Sequence, residues 1–294
     1  MDNIAEILLY WGLRDAAITP IASPSQSTWD INGKYILKKR NSTAEELSCS
    51  MQISDILASK NVPVAAYVKT ISGQLISPDS MYFLMKKLSG ETIDFYKHPN
   101  LAVTMGKELA KLHQALKLIE SKIAYNENDL LATWKNKIKP SLKSLVSSNI
   151  LENVDSAFSK NYVKLPRQLI HRDVHAHNVL FVDGKLTGWL DFDISQRNVR
   201  IFDIAYLLAS LLFGQLCNFA KIKIWHEIYH NLLLGYNEVN PLTADEYNAL
   251  PTIMIVIEFL FVWFWSEQEN KEQSENSLKL AKWLYNEYFT EVVN

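Results

Sequence analysis

The hydrophobic pattern of the chain changes its period near residue 89, and this change constrains the fold more than any other feature. Before it, short runs separated by turn signals predict β-strands, among them a hairpin closed by Asn32-Gly33. After it, apolar residues recur at helical intervals, most clearly over 101–119. A small sheet-rich part followed by a larger, mainly helical part predicts an α+β protein.

Each part contains one exception to its general pattern. In the first part, Thr43 and Glu46 have the spacing of a capping box, which predicts that one helix begins there. In the second part, short β-like runs over 168–195 are joined by turns such as Asp183-Gly184. Residues 18–28 contain two prolines and several serines, and this density predicts a loop.

Composition excludes several classes of partner. The 294 residues contain 30 Lys+Arg and 32 Asp+Glu, so no basic surplus is available to bind nucleic acid. Two cysteines are too few for a secreted disulfide framework and predict a reducing cytoplasm. The longest apolar run, 252–265, is interrupted by Glu258 and is shorter than the roughly 20 residues that span a bilayer. We therefore expect a cytoplasmic protein with neither a nucleic acid nor a membrane as its partner.

The residues with chemical potential lie in the β-like segment of the second part. His171-Arg172-Asp173 is followed five residues after the aspartate by Asn178, and thirteen residues later by Asp191. Closing the intervening hairpin brings Asn178 and Asp191 together. Amide and carboxylate oxygens suit Mg²⁺, which completes its coordination with water and substrate phosphates. Asp173 is then free to accept a proton from a hydroxyl, so the set predicts phosphoryl transfer.

Three motifs in this order resemble the aminoglycoside phosphotransferase/choline kinase-like family. They are the His-x-Asp-x-x-x-x-Asn loop over 171–178, the strand end Trp189-Leu190-Asp191, and the helix start Asp203-Ile204-Ala205. The resemblance implies a bilobal protein-kinase-like fold, with a small antiparallel-sheet N-lobe and a large, mainly helical C-lobe. We expect the nucleotide-binding N-lobe over 1–88 and the C-lobe, with the catalytic loop and acceptor site, over 89–294.

The resemblance also implies roles for single residues. Asp173 would orient or deprotonate the acceptor hydroxyl, and Asn178 and Asp191 would hold Mg²⁺. Lys38 would contact the α- and β-phosphates from a strand. The family pairs this lysine with a helix glutamate, and Glu46 is the candidate here, although it lies about one turn earlier than the family pattern.

Other implied roles concern the nucleotide and the support of the catalytic loop. Backbone groups near Lys86 and Leu88 would bind the adenine. The first part contains no Gly-x-Gly-x-x-Gly motif, so the loop over 23–28, with Ser25 and Ser27, would cover the phosphates. Asp203 would brace the catalytic loop without touching substrate.

The sequence thus predicts a Mg²⁺-assisted small-molecule kinase that uses ATP, with GTP as an alternative donor. Three hypotheses for its function stay open. The acceptor is an aminoglycoside-like molecule, or the protein is a metabolic kinase for a sugar, a choline-like alcohol or a hydroxy-amino acid, or it is an inactive nucleotide-binding relative. Glu258, within the apolar run, is a candidate for binding a cationic group of the acceptor.

Overall fold

The first part of the chain forms a five-stranded antiparallel sheet with one long helix. The computed structural model describes residues 3–21, 27–125, 127 and 129–289. The strands occur in the order β1-β2-β3-β5-β4. The elements of this part are α1 (Ile4–Leu8), a 3₁₀ turn (Leu9–Trp11), β1 (Ile18–Pro20), β2 (Thr28–Ile31), β3 (Tyr35–Lys39), α2 (Ala44–Ser59), β4 (Tyr67–Val68) and β5 (Tyr82–Lys86).

Local sequence signals explain most of these boundaries. Asn32 and Gly33 have φ values of 57° and 67°, as a two-residue hairpin turn requires, and β2 pairs with β3 in antiparallel register. Thr43 and Glu46 form a complete capping box at the start of α2. The loop predicted over 18–28 is wrong at its start, where β1 forms. β1 is an edge strand, and such a strand accommodates proline at its end.

The second part is mainly helical and contains two small two-stranded sheets, β6–β9 and β7–β8. Its longer helices are α3 (Leu101–Ile119), α6 (Ser148–Tyr162), α7 (Ile201–Leu212), α8 (Phe219–Val239), α9 (Ala244–Glu267) and α10 (Lys271–Leu284). The short segments are α4 (Leu130–Thr133), α5 (Lys139–Ser141), 3₁₀ turns at Glu120–Lys122 and Ala176–Asn178, and π-helical turns at Trp134–Ile138 and Tyr285–Phe289. The strands are β6 (Arg167–Ile170), β7 (Val179–Val182), β8 (Lys185–Trp189) and β9 (Gln196–Val199).

Close helix packing holds the centre of the second part. A Cβ atom at Gly106 of α3 would overlap the backbone carbonyl of Leu232 in α8, and one at Gly235 would overlap that of Val103. These two glycines therefore let the backbones of α3 and α8 touch. The contact also brings together side chains of α3 and α8 that support the candidate site.

The apolar run over 252–265 belongs to α9. This 24-residue helix is long and apolar enough to cross a membrane by length and composition, but 72% of its most apolar window is buried inside the protein. It packs against α6, α7 and α10. The burial is typical of the central helix of a folded core.

Candidate active site

The loop that joins β6 to β7 carries the polar motif, and a buried carboxylate holds its first turn. Asp203, at the start of α7, is fully buried. Its Oδ2 accepts the backbone N–H of His171 at 2.9 Å, and its Oδ1 accepts that of Arg172 at 2.8 Å. His113 Nε2 lies 3.0 Å from the same Oδ2, and His113 Nδ1 lies 2.8 Å from the Tyr236 hydroxyl. Asp203 thus braces the loop, in agreement with its implied role.

Asp173 and Asn178 contact each other across this loop. Asn178 Nδ2 donates to Asp173 Oδ2 at 2.8 Å and to the Asp173 backbone carbonyl at 2.9 Å, which leaves the amide oxygen as a ligand. Burial acts to raise the pKa of Asp173, but hydrogen bonds from His175 and Asn178 and the charges of His175 and His171 outweigh it and lower that pKa. Asp173 is therefore ionised at neutral pH and can accept a hydrogen bond from a hydroxyl.

Asp191 forms an ion pair with a lysine of the small sheet. Lys38 Nζ lies 2.9 Å from Asp191 Oδ2, and both side chains are partly buried. The neighbouring Lys39 instead lies over the ring of Tyr82, at 5.8 Å from its centroid, because successive strand residues point to opposite faces. Asp191 has a φ of 62°, a left-handed conformation that aspartate adopts more readily than most residues. β3 therefore directs Lys38, and not Lys39, toward the motif residues.

Glu46 does not pair with Lys38 in the described part of the structure. Its Oε2 accepts the backbone N–H of Thr43 at 2.8 Å, and its own N–H donates to the Thr43 hydroxyl at 3.2 Å. The partner of Lys38 is Asp191. The expected pair between Lys38 and Glu46 does not form, because the Glu46 carboxylate accepts a backbone N–H group at the start of α2. That N–H group has no partner within the helix.

A second carboxylate, Asp193, lies beside Asp191. Burial, followed by the negative charge of Asp191, raises the pKa of Asp193 to about 6, while Lys38 and the Ser50 hydroxyl act in the opposite direction. Two neighbouring negative charges are stabilised when a cation binds between them. The backbone carbonyl of Asn178 accepts the Leu190 N–H at 2.9 Å, so Asn178 also lies next to Asp191.

These oxygen donors fit Mg²⁺ by their chemistry. Asp191 and Asp193 supply carboxylate oxygens and Asn178 supplies an amide oxygen, all of which are hard ligands. Within the described residues, no group of three or more His, Cys, Asp or Glu side chains is arranged as a metal site. Two carboxylates and one amide are fewer ligands than Mg²⁺ takes, and this ion usually completes its coordination with water and phosphate oxygens.

Two adjoining cavities lie between the small sheet and the motif loop. The hinge cavity, about 320 Å³, lies against residues 86–88 and is lined by apolar side chains such as Ile36 and Leu180. The loop cavity, about 410 Å³, is more polar and includes Asp173. Both cavities are lined by Thr28, Lys38, Phe83, Asp191 and Asp193. An apolar chamber that opens into a polar one suits a planar base joined to phosphates.

The predicted nucleotide-binding residues are placed around these cavities. Lys86 and Leu88 line the hinge cavity, and the Lys86 N–H already donates to the Ala66 carbonyl at 2.8 Å. Ser27 lines the loop cavity, where its Oγ accepts a hydrogen bond from Asn41 at 3.3 Å. Ser25 lies outside the described residues. The backbone of Leu88 forms no hydrogen bond within the described residues, so it is available to a base.

Tyr206 is a site residue that the sequence analysis did not single out. Its hydroxyl forms a hydrogen bond with Asp173, and its ring stacks on Phe261 with centroids 5.5 Å apart. His175 packs edge-on against the Tyr206 ring, and its Nε2 lies 3.6 Å from Asp173 Oδ2. Tyr206 follows Asp203 by three residues, and this helical spacing places both side chains on the face of α7 that points to the loop. The spacing is the only signal in the sequence that could have identified Tyr206.

Glu258 of α9 is almost completely buried, and its Oε2 has no hydrogen-bond partner among the described residues. Burial raises its pKa to about 8, and the Ser277 hydroxyl lowers it only partly. It is not among the residues that line the hinge or loop cavity. The carboxyl group is therefore uncharged at neutral pH, and whether it binds a cationic group remains a prediction.

Replacing Glu258 by glutamine is expected to stabilise the protein at high pH. The folded-state pKa of about 8 lies above the ordinary value of 4.5, so the folded state retains a proton that the unfolded state loses. Stability then falls as the pH rises from about 4.5 to 8, by about 1.4 kcal/mol per pH unit. Urea unfolding should show the variant equal to wild type at pH 4.5 and more stable at pH 9.

The matched control is Glu267→Gln, an exposed glutamate at the end of the same helix. It should not change the pH dependence of unfolding. A Glu258→Gln protein that tracks wild type at both pH values would show that the carboxyl group ionises normally. Measuring the acceptor KM of the same variant tests the cation-binding prediction, because an unchanged KM would exclude that role.

The fold and the site by themselves define the class of this protein. A small antiparallel sheet and a large helical part enclose a cleft where Lys38, Asp173, Asn178 and Asp191 meet, which is the arrangement of a protein-kinase-like phosphotransferase. A model of the phosphotransferase enzyme family matches residues 17–227. The chain belongs to this family. The predicted family, fold class and enzyme class are therefore confirmed.

Individual relatives are similar at low sequence identity. The homoserine kinase of Rhodopseudomonas palustris (strain BisA53) is 26% identical over 272 residues, which cover 86% of this chain and 79% of that protein. Seven further homoserine kinases are 24–28% identical.

Two solved structures show the same fold. A microcompartment-associated aminopropanol kinase is 15% identical with a TM-score of 0.75, covering 98% of this chain and 97% of that one. An amicoumacin kinase in complex with AMP-PNP and Ca²⁺ is 17% identical with a TM-score of 0.71, covering 97% and 92%. At these identities the two neighbours show only that the fold is protein-kinase-like.

Proposed function

We propose that this phosphotransferase is a kinase that transfers the γ-phosphoryl group of ATP to a hydroxyl of a small molecule, with GTP as the alternative donor. The observation that carries the proposal is the meeting of a strand lysine, two carboxylates and an amide at two adjoining cavities. Phosphoryl transfer needs positioning and charge stabilisation more than covalent chemistry. This cleft offers both.

Asp173 is proposed as the residue that acts on the acceptor. Its lowered pKa keeps the carboxylate ionised, so it can accept the proton of the attacking hydroxyl. Asn178 and Tyr206 hold the carboxylate by hydrogen bonds, which limits its rotation. The backbone N–H groups before it are held by Asp203, so the reactive group is set before substrate arrives.

The other charged residues are proposed to act on the nucleotide. Lys38, held by Asp191, lies where the hinge and loop cavities meet and would contact the α- and β-phosphates. Asn178 and Asp191 would hold Mg²⁺, with Asp193 as a further donor. When bound, the ion would neutralise charge on the phosphate oxygens. Leu88 would bind the base through its backbone, and Ser27 lies on the phosphate side.

For the acceptor, the comparisons favour the metabolic hypothesis over the aminoglycoside one. The eight curated relatives described above are homoserine kinases, and the first two align with 86% and 78% of this chain. We therefore place hydroxy-amino acids first, ahead of sugars, choline-like alcohols and aminoglycosides. We also keep the prediction of a cytoplasmic enzyme without nucleic-acid or membrane partners; Cys49 and Cys217 are both free thiols, as is usual in a reducing compartment.

An acceptor screen tests the proposal. Purified protein with Mg²⁺ and either ATP or GTP is incubated with single hydroxy-amino acids, sugars, choline and aminoglycosides, and nucleoside diphosphate release is measured. At least one acceptor should raise release well above the acceptor-free rate. If the protein binds nucleotide but no acceptor supports turnover, it is an inactive nucleotide-binding relative and the proposal is wrong.

A further inference from the structure

A third cavity, about 660 Å³, lies beside the loop cavity and is called the side cavity here. It is enclosed by the first turns of α2, by Tyr125, by Arg172 of the motif loop and by residues 193–196. Glu46, Asp193 and Ile194 line both cavities, so the two adjoin. A molecule in the side cavity would therefore reach the part of the cleft that contains Asp173.

Two residues that line the side cavity each carry a buried hydrogen-bond donor that has no partner among the described residues. These donors are Arg172 Nε and Gln196 Nε2, and Gln196 is only 8% exposed. Burying such groups without a partner is unfavourable, most of all for a charged guanidinium. Two unpaired donors in one cavity indicate a ligand that accepts hydrogen bonds there.

The guanidinium of Arg172 is held in place but has no ion-pair partner within the described residues. It lies over the Phe202 ring, 4.7 Å from its centroid, and its Nε has no hydrogen-bond partner there. Burial lowers the pKa of Arg172, although the charges of Tyr206, Asp173 and Asp203 oppose this. Asp203 already accepts two backbone N–H groups and Asp173 accepts Asn178. An oxyanion entering the side cavity would be the missing partner.

The backbone at Arg172 supports a functional reason for this arginine. Its φ of 77° lies in the left-handed region, where a side chain is sterically strained and glycine is not. Arginine at this position is thus unfavourable both for its backbone and for its buried charge. Such a combination is typical of residues that act on a ligand.

Carboxylates that line the side cavity restrict the ligand further. Glu45 is exposed, and Glu46 and Asp193 also belong to the lining. A cavity lined by a guanidinium and by carboxylates suits a zwitterion. A polycation would be attracted to the carboxylates but would leave the Arg172 guanidinium without a partner.

We propose that the side cavity binds the acceptor, that Arg172 and Gln196 bind its carboxylate, and that the acceptor is therefore a hydroxy-amino acid. This inference rests on the proposed kinase function, and it names the substrate class and the residues that select it. Glu45 would face the ammonium group, and the hydroxyl would extend toward Asp173. No aminoglycoside carries the carboxylate that this arrangement requires.

Matched ligand pairs test the inference by calorimetry on the full chain with Mg²⁺ and AMP-PNP. L-serine, L-threonine and L-homoserine are compared with their decarboxylated counterparts 2-aminoethanol, 1-aminopropan-2-ol and 3-aminopropan-1-ol. At least one amino acid should bind about 10-fold or more tightly than its counterpart. If none of the three amino acids binds, or if no amino acid binds more tightly than its matched amine, the inference is overturned.

Arg172→Gly is the decisive variant, because it removes the guanidinium and relieves the strained backbone, so folding should not suffer. The affinity for the preferred amino acid should fall about 10-fold or more, while that for the matched amine and for AMP-PNP stays unchanged. Gln196→Leu should cause a smaller loss. Arg14→Gly, at an exposed arginine of the small sheet region, should change nothing.

The outcomes separate this inference from the proposed function. If Arg172→Gly keeps the preference for the carboxylate, Arg172 does not bind it and the inference is wrong. If the amino acid binds in an Arg172-dependent way but no acceptor of any class is phosphorylated, the kinase proposal fails, and the carboxylate site remains without the acceptor role that rests on it. If turnover occurs only with acceptors that lack a carboxylate, the kinase proposal stands and the inference fails.

Discussion

Replacing Asp173 by alanine is expected to lower kcat by about 10²–10⁴-fold, the usual contribution of a general base. The variant removes the carboxylate that would accept the proton of the acceptor hydroxyl. Nucleotide binding should persist, because Asn178 keeps its 2.9 Å hydrogen bond to the backbone carbonyl of residue 173. Steady-state rates and a nucleotide Kd measured on the same preparation separate the two effects.

Two controls sharpen this prediction. Asp173→Asn keeps the shape of the side chain but not its basicity, so it should lose a similar part of kcat. Asp55→Ala removes an exposed aspartate of α2 and should leave kcat unchanged. Full turnover by Asp173→Ala would show that this carboxylate does not act on the acceptor, and its assignment as the catalytic residue would have to be abandoned.

Replacing Asp191 by alanine is expected to weaken binding of the Mg²⁺-nucleotide complex by about 10–100-fold. The variant removes a proposed metal ligand and the ion-pair partner that holds Lys38 at 2.9 Å. The loss should be confined to the Mg²⁺-dependent part of the affinity. Nucleotide titrations with Mg²⁺ and with EDTA measure that part directly.

Asp191→Asn is the matched control, because asparagine tolerates the left-handed backbone at this position and retains one oxygen ligand. It should lie between wild type and Asp191→Ala in its Mg²⁺ requirement. An Asp191→Ala protein with an unchanged Mg²⁺ requirement would argue that the ion binds elsewhere. The effect of Asp191→Ala should thus differ from that of Asp173→Ala, which is expected to lower kcat without lowering the nucleotide affinity.

Short-range features of this fold were predictable from the sequence. The Asn32-Gly33 hairpin, the capping box at Thr43 and the helix over 101–119 each depend on residues within a few positions of one another. Their local preferences agree with the folded structure, so no distant contact was needed to predict them.

The candidate site was predictable only in part. The order and spacing of Asp173, Asn178 and Asp191 identified the chemistry, and the structure brings Asn178 into contact with Asp173. The partner of Lys38 was not predictable, because Glu46 and Asp191 are both carboxylates and the sequence does not reveal that the helix cap engages Glu46. Lys38 and Asp191 are 153 positions apart, and only folding brings them together.

The amino-acid sequence by itself determined the family, the fold class and the chemical kit, because these depend on residue types at set spacings along one chain. Only the tertiary structure decided that Lys38 binds Asp191, that Tyr206 contacts Asp173, and that the Nε of Arg172 has no partner among the described residues. The physical reason is that ion pairing and burial depend on which distant elements pack together. A side chain's need for a partner appears only when its surroundings are known.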